Sequence, residues 1–314
     1  MSEGFFNRNR LLIYLFILVI SWSVITLVLE TLWGEVYTFL SVPIPEYYPL
    51  SWFTVYISAG RLWSFILLGG IGTIILYLIF KEILAQPPET EEARKTQTLA
   101  EIIFMIFIFL FLGGLGMRYA ANELHVYTSL IPLIFPYTPF TIIPLAFTNN
   151  LNYLVYFFDE GIGHKFIYLG IIGFIVAGTI LQTQHRYQRL FTRREYTLYG
   201  FLGLLFGLGI GVSVVEGQAA FETIIFSSSA LVVMLTLLAT KKIQLTEKGQ
   251  KAVKSNPFYA FSLLFFIGTI ISIIGCAFYF GIMPAYPFFI QPSHESTVIK
   301  QILQYLIPYI LSTL

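Results

Sequence analysis

The chain has 314 residues, of which 57% are hydrophobic, 18% aromatic and only 11% charged, and its formal net charge is +1. A soluble globular protein carries about 25% charged residues, and disorder would lower the hydrophobic fraction rather than raise it. The composition therefore excludes an ordinary soluble protein and a disordered chain, and it predicts an integral membrane protein. A net charge so close to zero gives no basis for a nucleic-acid partner. Membrane lipids, and possible neighbouring subunits in the membrane, are the expected partners.

The N-terminal residues form the first predicted element. Arg8 and Arg10 precede an apolar stretch that runs from Leu11 to about Leu29. This stretch is longer than the apolar region of a signal peptide, and no cleavage site of small residues follows it. We interpret it as a retained membrane span.

Seven apolar segments have the length of a transmembrane helix, which needs about 20 residues at a rise of 1.5 Å each. They predict an all-α fold, a polytopic helix bundle that forms a single domain over residues 1–314. Residues 298–314 place their apolar side chains on one helical stripe but are short for an eighth span, so they predict an interfacial helix. The predicted spans are 11–31, 62–80, 99–117, 166–184, 197–215, 220–239 and 257–280.

Basic residues occur in every second linker between the predicted spans, and therefore on one side of the bundle. The positive-inside rule then places the N-terminus in the cytoplasm and the end of the seventh span outside. This pattern predicts a multi-pass protein of the cell membrane. His185 lies on the basic side and is expected to face water or lipid head groups. The basic residues are Arg8, Arg10, Lys81, Arg94, Lys95, Arg186, Arg189, Arg193, Arg194, Lys241, Lys242, Lys248, Lys251 and Lys254.

The linkers on the other side are rich in aromatic residues and proline, notably 42–48, 131–144 and 283–292. One interpretation is a partly embedded cap over the bundle, because backbone at membrane depth must be helical or shielded by protein. The alternative is an ordinary aromatic belt at the membrane interface. Polar linker 81–98 is expected to be flexible.

Glycine spacing predicts close packing in one span. Gly203, Gly207 and Gly211 recur every four residues, a spacing that lets two helix backbones approach each other. This pattern concerns bundle architecture and gives no functional information. The single cysteine, Cys276, excludes an intrachain disulfide and a multi-cysteine metal centre.

Ionisable residues collect at the predicted outer ends of the spans. Charges at helix ends are common, so the carboxylates alone have an ordinary structural explanation. Arg61 and Arg118 are less easily explained, because they oppose the positive-inside bias and each requires a carboxylate or an anionic ligand as partner. The residues at these ends are Glu30, Arg61, Arg118, Glu123, His125, Asp159, Glu160, His164, Glu216 and Glu222.

Two local patterns concern the segments around the third and fourth spans. In 117–125 (MRYAANELH), Arg118, Asn122 and His125 fall on one helical face. In 159–164 (DEGIGH), a helix would aim Glu160 and His164 at one point, because they are four residues apart. Gly161 and Gly163 weaken a helix, and a turn would bring Asp159 to His164 instead.

Imidazole and carboxylate groups at such spacings bind divalent metals. We expect one divalent ion held by His125, Asp159 and His164, although a hydrogen-bonded histidine at a helix end is the simpler alternative. Glu160 and Arg118 are the candidate catalytic residues. The candidate substrate-binding residues are Arg61, Asn122 and Glu216.

Three functions remain open at this point. The first is a metal-dependent membrane enzyme that acts on a lipid or apolar substrate at the outer leaflet, with arginine holding an anionic group. The second is a non-catalytic subunit of a larger membrane complex, docked through its apolar outer loops. The third is a transporter, which is less favoured because the middle of each span is nearly devoid of charge and no inverted repeat is apparent.

Overall fold

The architecture comes from a computed structural model, which describes residues 9–25, 37–43, 52–86, 91–134, 153–185, 187, 189–239 and 256–280. Within these ranges the chain forms eight α-helices, two π-helical segments and one antiparallel hairpin. Segment π1 (Leu67–Gly72) joins α2 to α3, and π2 (Phe157–Gly163) leads into α5. The α-helices are α1 (Arg10–Val24), α2 (Ala59–Ile66), α3 (Thr73–Leu84), α4 (Glu91–Ile134), α5 (His164–Gln184), α6 (Arg193–Glu216), α7 (Ala220–Ala239) and α8 (Pro257–Phe280).

Five helical segments are long and apolar enough to cross a membrane. Large apolar side chains face outward along them, and Phe278, for example, is 86% exposed. Lipid is the solvent that such a surface fits, so the helical membrane protein predicted from composition is confirmed. The predicted spans 11–31 and 220–239 correspond to shorter apolar helices in the described residues, Arg10–Val24 and Ala220–Thr236. The five long segments are Leu62–Leu84, Gln97–Leu124, Tyr153–Gln184, Arg193–Glu216 and Pro257–Tyr279.

The described residues are almost entirely helical, as predicted, and one antiparallel hairpin accompanies the helices. Strand β1 (Tyr37–Pro43) pairs with β2 (Trp52–Ser58), with Tyr37 opposite Ser58 and Pro43 opposite Trp52. Both strands are rich in aromatic and β-branched residues, which favour strands, although residues 42–48 are predicted to form a loop. Because β2 leads directly into α2, the hairpin lies at the end of the bundle where α2 begins.

Helix α4 is much longer than the predicted span 99–117. It has 44 residues and includes both the end of linker 81–98 and the beginning of the predicted loop 131–144. The prediction of a flexible linker is wrong for 91–98, which contains good helix formers and therefore extends the helix beyond its apolar part. Residues 42 and 43 of the first predicted outer loop belong to β1. The remaining residues of the predicted outer loops lie outside the described residues, as does the predicted helix 298–314.

Helices α6 and α8 have the most extensive contact in the bundle. A Cβ atom on Gly203 would overlap the carbonyl oxygen of Phe261, and one on Gly207 would overlap the carbonyl oxygen of Phe265. The two backbones therefore touch where glycine removes the side chain, as the GxxxG spacing predicts.

Buried polar side chains join α5 to its neighbours. The Gln182 Oε1 atom accepts a hydrogen bond of 2.7 Å from the backbone N–H of Phe258, in the first turn of α8. Deeper in the bundle, the Thr179 hydroxyl donates to Ser262 Oγ at 2.7 Å. These bonds satisfy polar groups that would be costly to bury unpaired.

The Gln182 bond gives a testable expectation. Gln182→Ala should lower the free energy of unfolding by about 1–3 kcal/mol, because the buried N–H of Phe258 loses its acceptor. Thermal unfolding of the purified protein in mild detergent measures the effect. Gln97→Ala is the control, since Gln97 bonds Glu101 at an exposed place and its loss should cost about 0.5 kcal/mol or less. Equal effects of the two substitutions would contradict an anchoring role for Gln182.

His185 is not where its sequence context predicts. It is only 1% exposed, and its Nδ1 atom lies 2.8 Å from the carbonyl oxygen of Gln86. The prediction of a histidine facing water or head groups is therefore wrong, because this bond holds the ring between the ends of α3 and α5. Arg189, in the same basic linker, bonds both Glu195 at 3.0 Å and Asn9 at 2.9 Å.

Candidate metal centre

The candidate centre lies where α4 crosses the junction of π2 and α5. A Cβ atom on Gly114 would lie 2.6 Å from the carbonyl oxygen of Gly163, and one on Gly163 would lie 3.1 Å from the backbone nitrogen of Arg118. Farther along, Gly170 of α5 packs against Phe107 and Phe111 of α4. Residues farther along α5 therefore contact residues earlier in α4. The two helices are antiparallel and in close contact.

The π-helical turn brings both acidic residues to one histidine. The backbone N–H of His164 bonds the carbonyl oxygen of Asp159, five residues earlier. An α-helix would bring only residues three or four apart together, whereas this wider turn places Asp159 as well as Glu160 beside His164. The turn contains Gly161 and Gly163, whose backbones adapt easily. Such π-helical turns occur frequently at functional sites.

Three potential ligand atoms converge here. The His164 Nδ1 atom lies 3.1 Å from Glu160 Oε2 and 3.7 Å from Asp159 Oδ1, and the three groups offer atoms that are all within 4.8 Å of one another. The side chains are largely buried, with 8%, 14% and 15% exposure for His164, Glu160 and Asp159. Metal–ligand bonds near 2.0–2.2 Å allow one ion to contact all three after small movements.

His164 points into this cluster without a hydrogen bond there. Its Nδ1 atom is buried and has no partner of hydrogen-bonding geometry among the described residues, although Glu160 is close enough. A buried imidazole nitrogen normally has a partner. Its position beside two carboxylate oxygens therefore fits a metal ligand.

Arg118 supplies the positive charge of the cluster. Its Nε atom lies 4.0 Å from Asp159 Oδ1. Asn122, one turn along α4, donates from Nδ2 to the carbonyl oxygen of Arg118 at 3.0 Å. The side chains of Asp159 and Glu160 carry two carboxylates beside this one guanidinium, a composition that attracts a cation.

The turn between α6 and α7 closes the centre on its other side. A Cβ atom on Gly217 would lie 2.7 Å from the ring of His164. Gln218 has a φ of 50° and accepts a hydrogen bond from the Tyr156 hydroxyl. Lys165 lies 2.6 Å from Glu222 on α7. These contacts hold the turn against α5 and limit the space around the imidazole.

The structure thus brings together four of the predicted site residues, Arg118, Asp159, Glu160 and His164. Asn122 contacts the backbone of this group, and Glu216 is half-buried at the end of α6, one residue before Gly217. Of His125 and Arg61, only the helical backbone belongs to the described part of the chain.

The sequence does not predict the helix contacts made by the glycines that build the centre, Gly114, Gly163 and Gly217, although Gly163 is expected to favour a turn. A signal was present for two of them, since Gly114 lies one turn before Arg118 and Gly163 directly precedes His164. Their role depends on which helices touch, and this contact is not visible in the chain order.

Comparison with known proteins assigns nothing further to this chain. No protein-family model matches it, no curated protein matches its sequence, and no solved structure matches its fold. The functional interpretation therefore depends on the geometry of the residues around His164.

Proposed function

We propose that this chain is a multi-pass protein of the cell membrane that binds one divalent metal ion at Asp159, Glu160 and His164. In this proposal the chain crosses the membrane seven times, its N-terminus is cytoplasmic and the centre faces the outer side. The observation that carries it is the convergence of a buried imidazole nitrogen with two carboxylate oxygens, all within 4.8 Å.

Electrostatics supports an ion at this position. Two carboxylates that share a partly buried site repel each other. Arg118 offsets one charge at a distance of 4.0 Å from Asp159. A divalent ion offsets the remaining charge and also uses the lone pair of His164. One imidazole with two carboxylates suits zinc, manganese or iron.

His125 is the proposed fourth ligand. Arg118 lies opposite Gly163 on the antiparallel helix, so Asn122 is about level with Asp159 at a rise of about 1.5 Å per residue. His125 follows less than one turn beyond Asn122 on the same helix. The backbone of α4 therefore brings position 125 to about the level of the acidic pair.

The centre suits a membrane enzyme acting on a lipid or apolar substrate. A bound divalent ion polarises an oxygen atom of a substrate or of water, as in metal-dependent hydrolases. Arg118 would bind an anionic group or developing negative charge. Glu160 would transfer a proton with the carboxylate oxygen that does not contact the ion. Arg61, Asn122 and Glu216 remain the proposed substrate-binding residues. The hairpin and the α6–α7 turn lie at the same end of the bundle as the candidate centre.

Metal analysis tests the proposal. We expect the protein, purified in mild detergent and saturated with Zn²⁺ or Mn²⁺, to retain about one ion per chain, since the described residues contain one cluster of potential ligands. Asp159→Asn and Glu160→Gln should each weaken binding by about 10–100-fold, measured by calorimetric titration of the metal-depleted protein. His164→Ala and His125→Ala should also weaken it.

Glu101→Gln is the matched control, because it removes an exposed carboxylate in the N-terminal part of α4, where Glu101 accepts a bond from Gln97. Its metal affinity should equal that of the native protein. If the native protein binds neither ion stoichiometrically, the cluster only joins α4 to α5, as expected for a non-catalytic subunit of a membrane complex.

A further inference from the structure

The turn between α6 and α7 contains a glutamine in a backbone conformation that favours glycine. Among the described residues other than glycine, only Gln218 has a positive φ, of 50°. The N–H of Ala219 bonds the carbonyl oxygen of Val214, and the N–H of Gln218 bonds that of Val215. These two bonds form a Schellman motif, in which glycine usually occupies the position of Gln218. A larger residue in this conformation is strained, which points to a role for its side chain.

The side chain of Gln218 joins this turn to the segment that carries the two carboxylates. Its Oε1 atom accepts a hydrogen bond from the hydroxyl of Tyr156, which is the N-cap residue of π2. A second bridge lies close by, since Lys165 Nζ at the start of α5 is 2.6 Å from Glu222 Oε1 on α7. Glycine at position 218 would remove the strain but also the bond to Tyr156. The strained residue therefore supplies a link that the preferred residue cannot supply.

The same turn lies against the imidazole of His164. A Cβ atom on Gly217 would lie 2.7 Å from both Cδ2 and Cγ of the ring. Within an imidazole, Cδ2 and Nδ1 are on opposite sides of Cγ, and the Nδ1 atom here is 3.1 Å from Glu160 Oε2. Gly217 therefore contacts the side of the ring that is remote from the carboxylates. A turn that moved away from α5 would leave the ring free to rotate about its Cβ–Cγ bond.

A second contact of the imidazole depends on the same end of α6. The rings of His164 and Tyr168 are nearly parallel, with 10° between their planes and 6.1 Å between their centroids. The hydroxyl of Tyr168 donates a hydrogen bond of 2.6 Å to the carbonyl oxygen of Ser213 on α6. The N–H of Gly217 bonds that same oxygen. The last turn of α6 thus holds two neighbours of the His164 ring, Tyr168 and Gly217.

We propose that Gln218 is a positioning residue of the metal centre, which holds the α6–α7 turn against His164 through its bond to Tyr156. This inference rests on the proposed function and adds to it how one ligand is fixed. A metal ion binds the lone pair of an imidazole nitrogen, so its affinity depends on the direction in which the ring points. Groups that orient a ligand without contacting the ion typically change metal affinity by about 10–100-fold.

Two substitutions of Gln218 separate this role from ordinary capping of α6. Gln218→Gly and Gln218→Ala both remove the bond to Tyr156, but only glycine adopts a positive φ without strain. The glycine variant should therefore unfold at a temperature about 2–4 °C above that of the alanine variant in mild detergent. Both variants should nevertheless bind Zn²⁺ about tenfold more weakly than the native protein, because both lack the amide. Calorimetric titration of the metal-depleted proteins measures this affinity.

Tyr156→Phe removes the same hydrogen bond from its other end. It should also weaken Zn²⁺ binding by about tenfold. Combined with Gln218→Gly it should cause no further loss of affinity, because the two changes remove one shared interaction. Tyr153→Phe is the matched control, since it removes the hydroxyl of a tyrosine that is 76% exposed and lies three residues earlier. Its affinity for Zn²⁺ should be within about twofold of the native value.

Three results would overturn the inference. Native affinity in both Gln218 variants would show that the turn does not orient the imidazole. Weak binding by Gln218→Ala alone, in parallel with its lower stability, would show that Gln218 only caps the helix. Additive losses in the double variant would show that Gln218 and Tyr156 act separately. In each case a stoichiometric ion in the native protein would leave the proposed function standing, whereas its absence there would remove that function as well.

Discussion

Gly114→Leu is expected to weaken metal binding by about 100-fold although it replaces none of the proposed ligands. A side chain on Gly114 meets the carbonyl oxygen of Gly163 at 2.6 Å and the backbone nitrogen of Ile167 at 2.7 Å. These atoms belong to backbone and cannot move aside as a flexible side chain would. Helix α4 must therefore separate from the π2–α5 junction, which moves Arg118 away from Asp159 and opens the centre to water.

The adjacent glycine provides the control for this substitution. A Cβ atom on Gly113 would meet nothing within 4 Å, so Gly113→Leu should leave the affinity for Zn²⁺ within about twofold of the native value. Calorimetric titration of both metal-depleted variants measures the difference. Equal affinities would show that the helix crossing does not position the ligands, even if the ion itself binds.

Among the substitutions considered, Gly207→Leu is expected to lower the free energy of unfolding most, by about 3 kcal/mol or more. Overpacking normally costs about 1–3 kcal/mol, and the new side chain here would overlap the backbone of Phe265 rather than a side chain. Because α6 and α8 have the most extensive contact of any two helices described, their separation should affect the whole bundle. Thermal unfolding in mild detergent, followed by circular dichroism, provides the measurement.

Gly209→Leu is the matched control for that experiment. Gly209 lies on the same helix, two residues farther, with nothing within 4 Å of its Cβ position. Leucine also favours a helix more than glycine does, so this variant should be as stable as the native protein or slightly more stable. A similar destabilisation of both variants would indicate that glycine matters for helix conformation and not for the contact with α8.

Much of the helical architecture follows from local patterns. Long apolar segments such as 257–280 predict helices because only they satisfy every backbone polar group inside lipid. The spacing of Gly203, Gly207 and Gly211 likewise predicts a close helix contact. The ends of α4 are not predicted, because polar residues that favour helices continue the helix beyond its apolar part. The β1–β2 hairpin is not predicted either, because strand formation depends on the partner strand.

The sequence by itself determined the membrane class of the protein, its main helices and the residue types near the candidate centre. Only the tertiary structure decided that Asp159 and Glu160 both reach His164, since a π-helical turn rather than an α-helical turn sets that geometry. It also decided that Arg118 is the arginine beside them, because Gly114 and Gly163 let α4 and the π2–α5 junction touch. Composition and periodicity indicate whether each segment faces lipid, water or protein. A site depends in addition on which helices contact each other and on how their residues align along the helix axes.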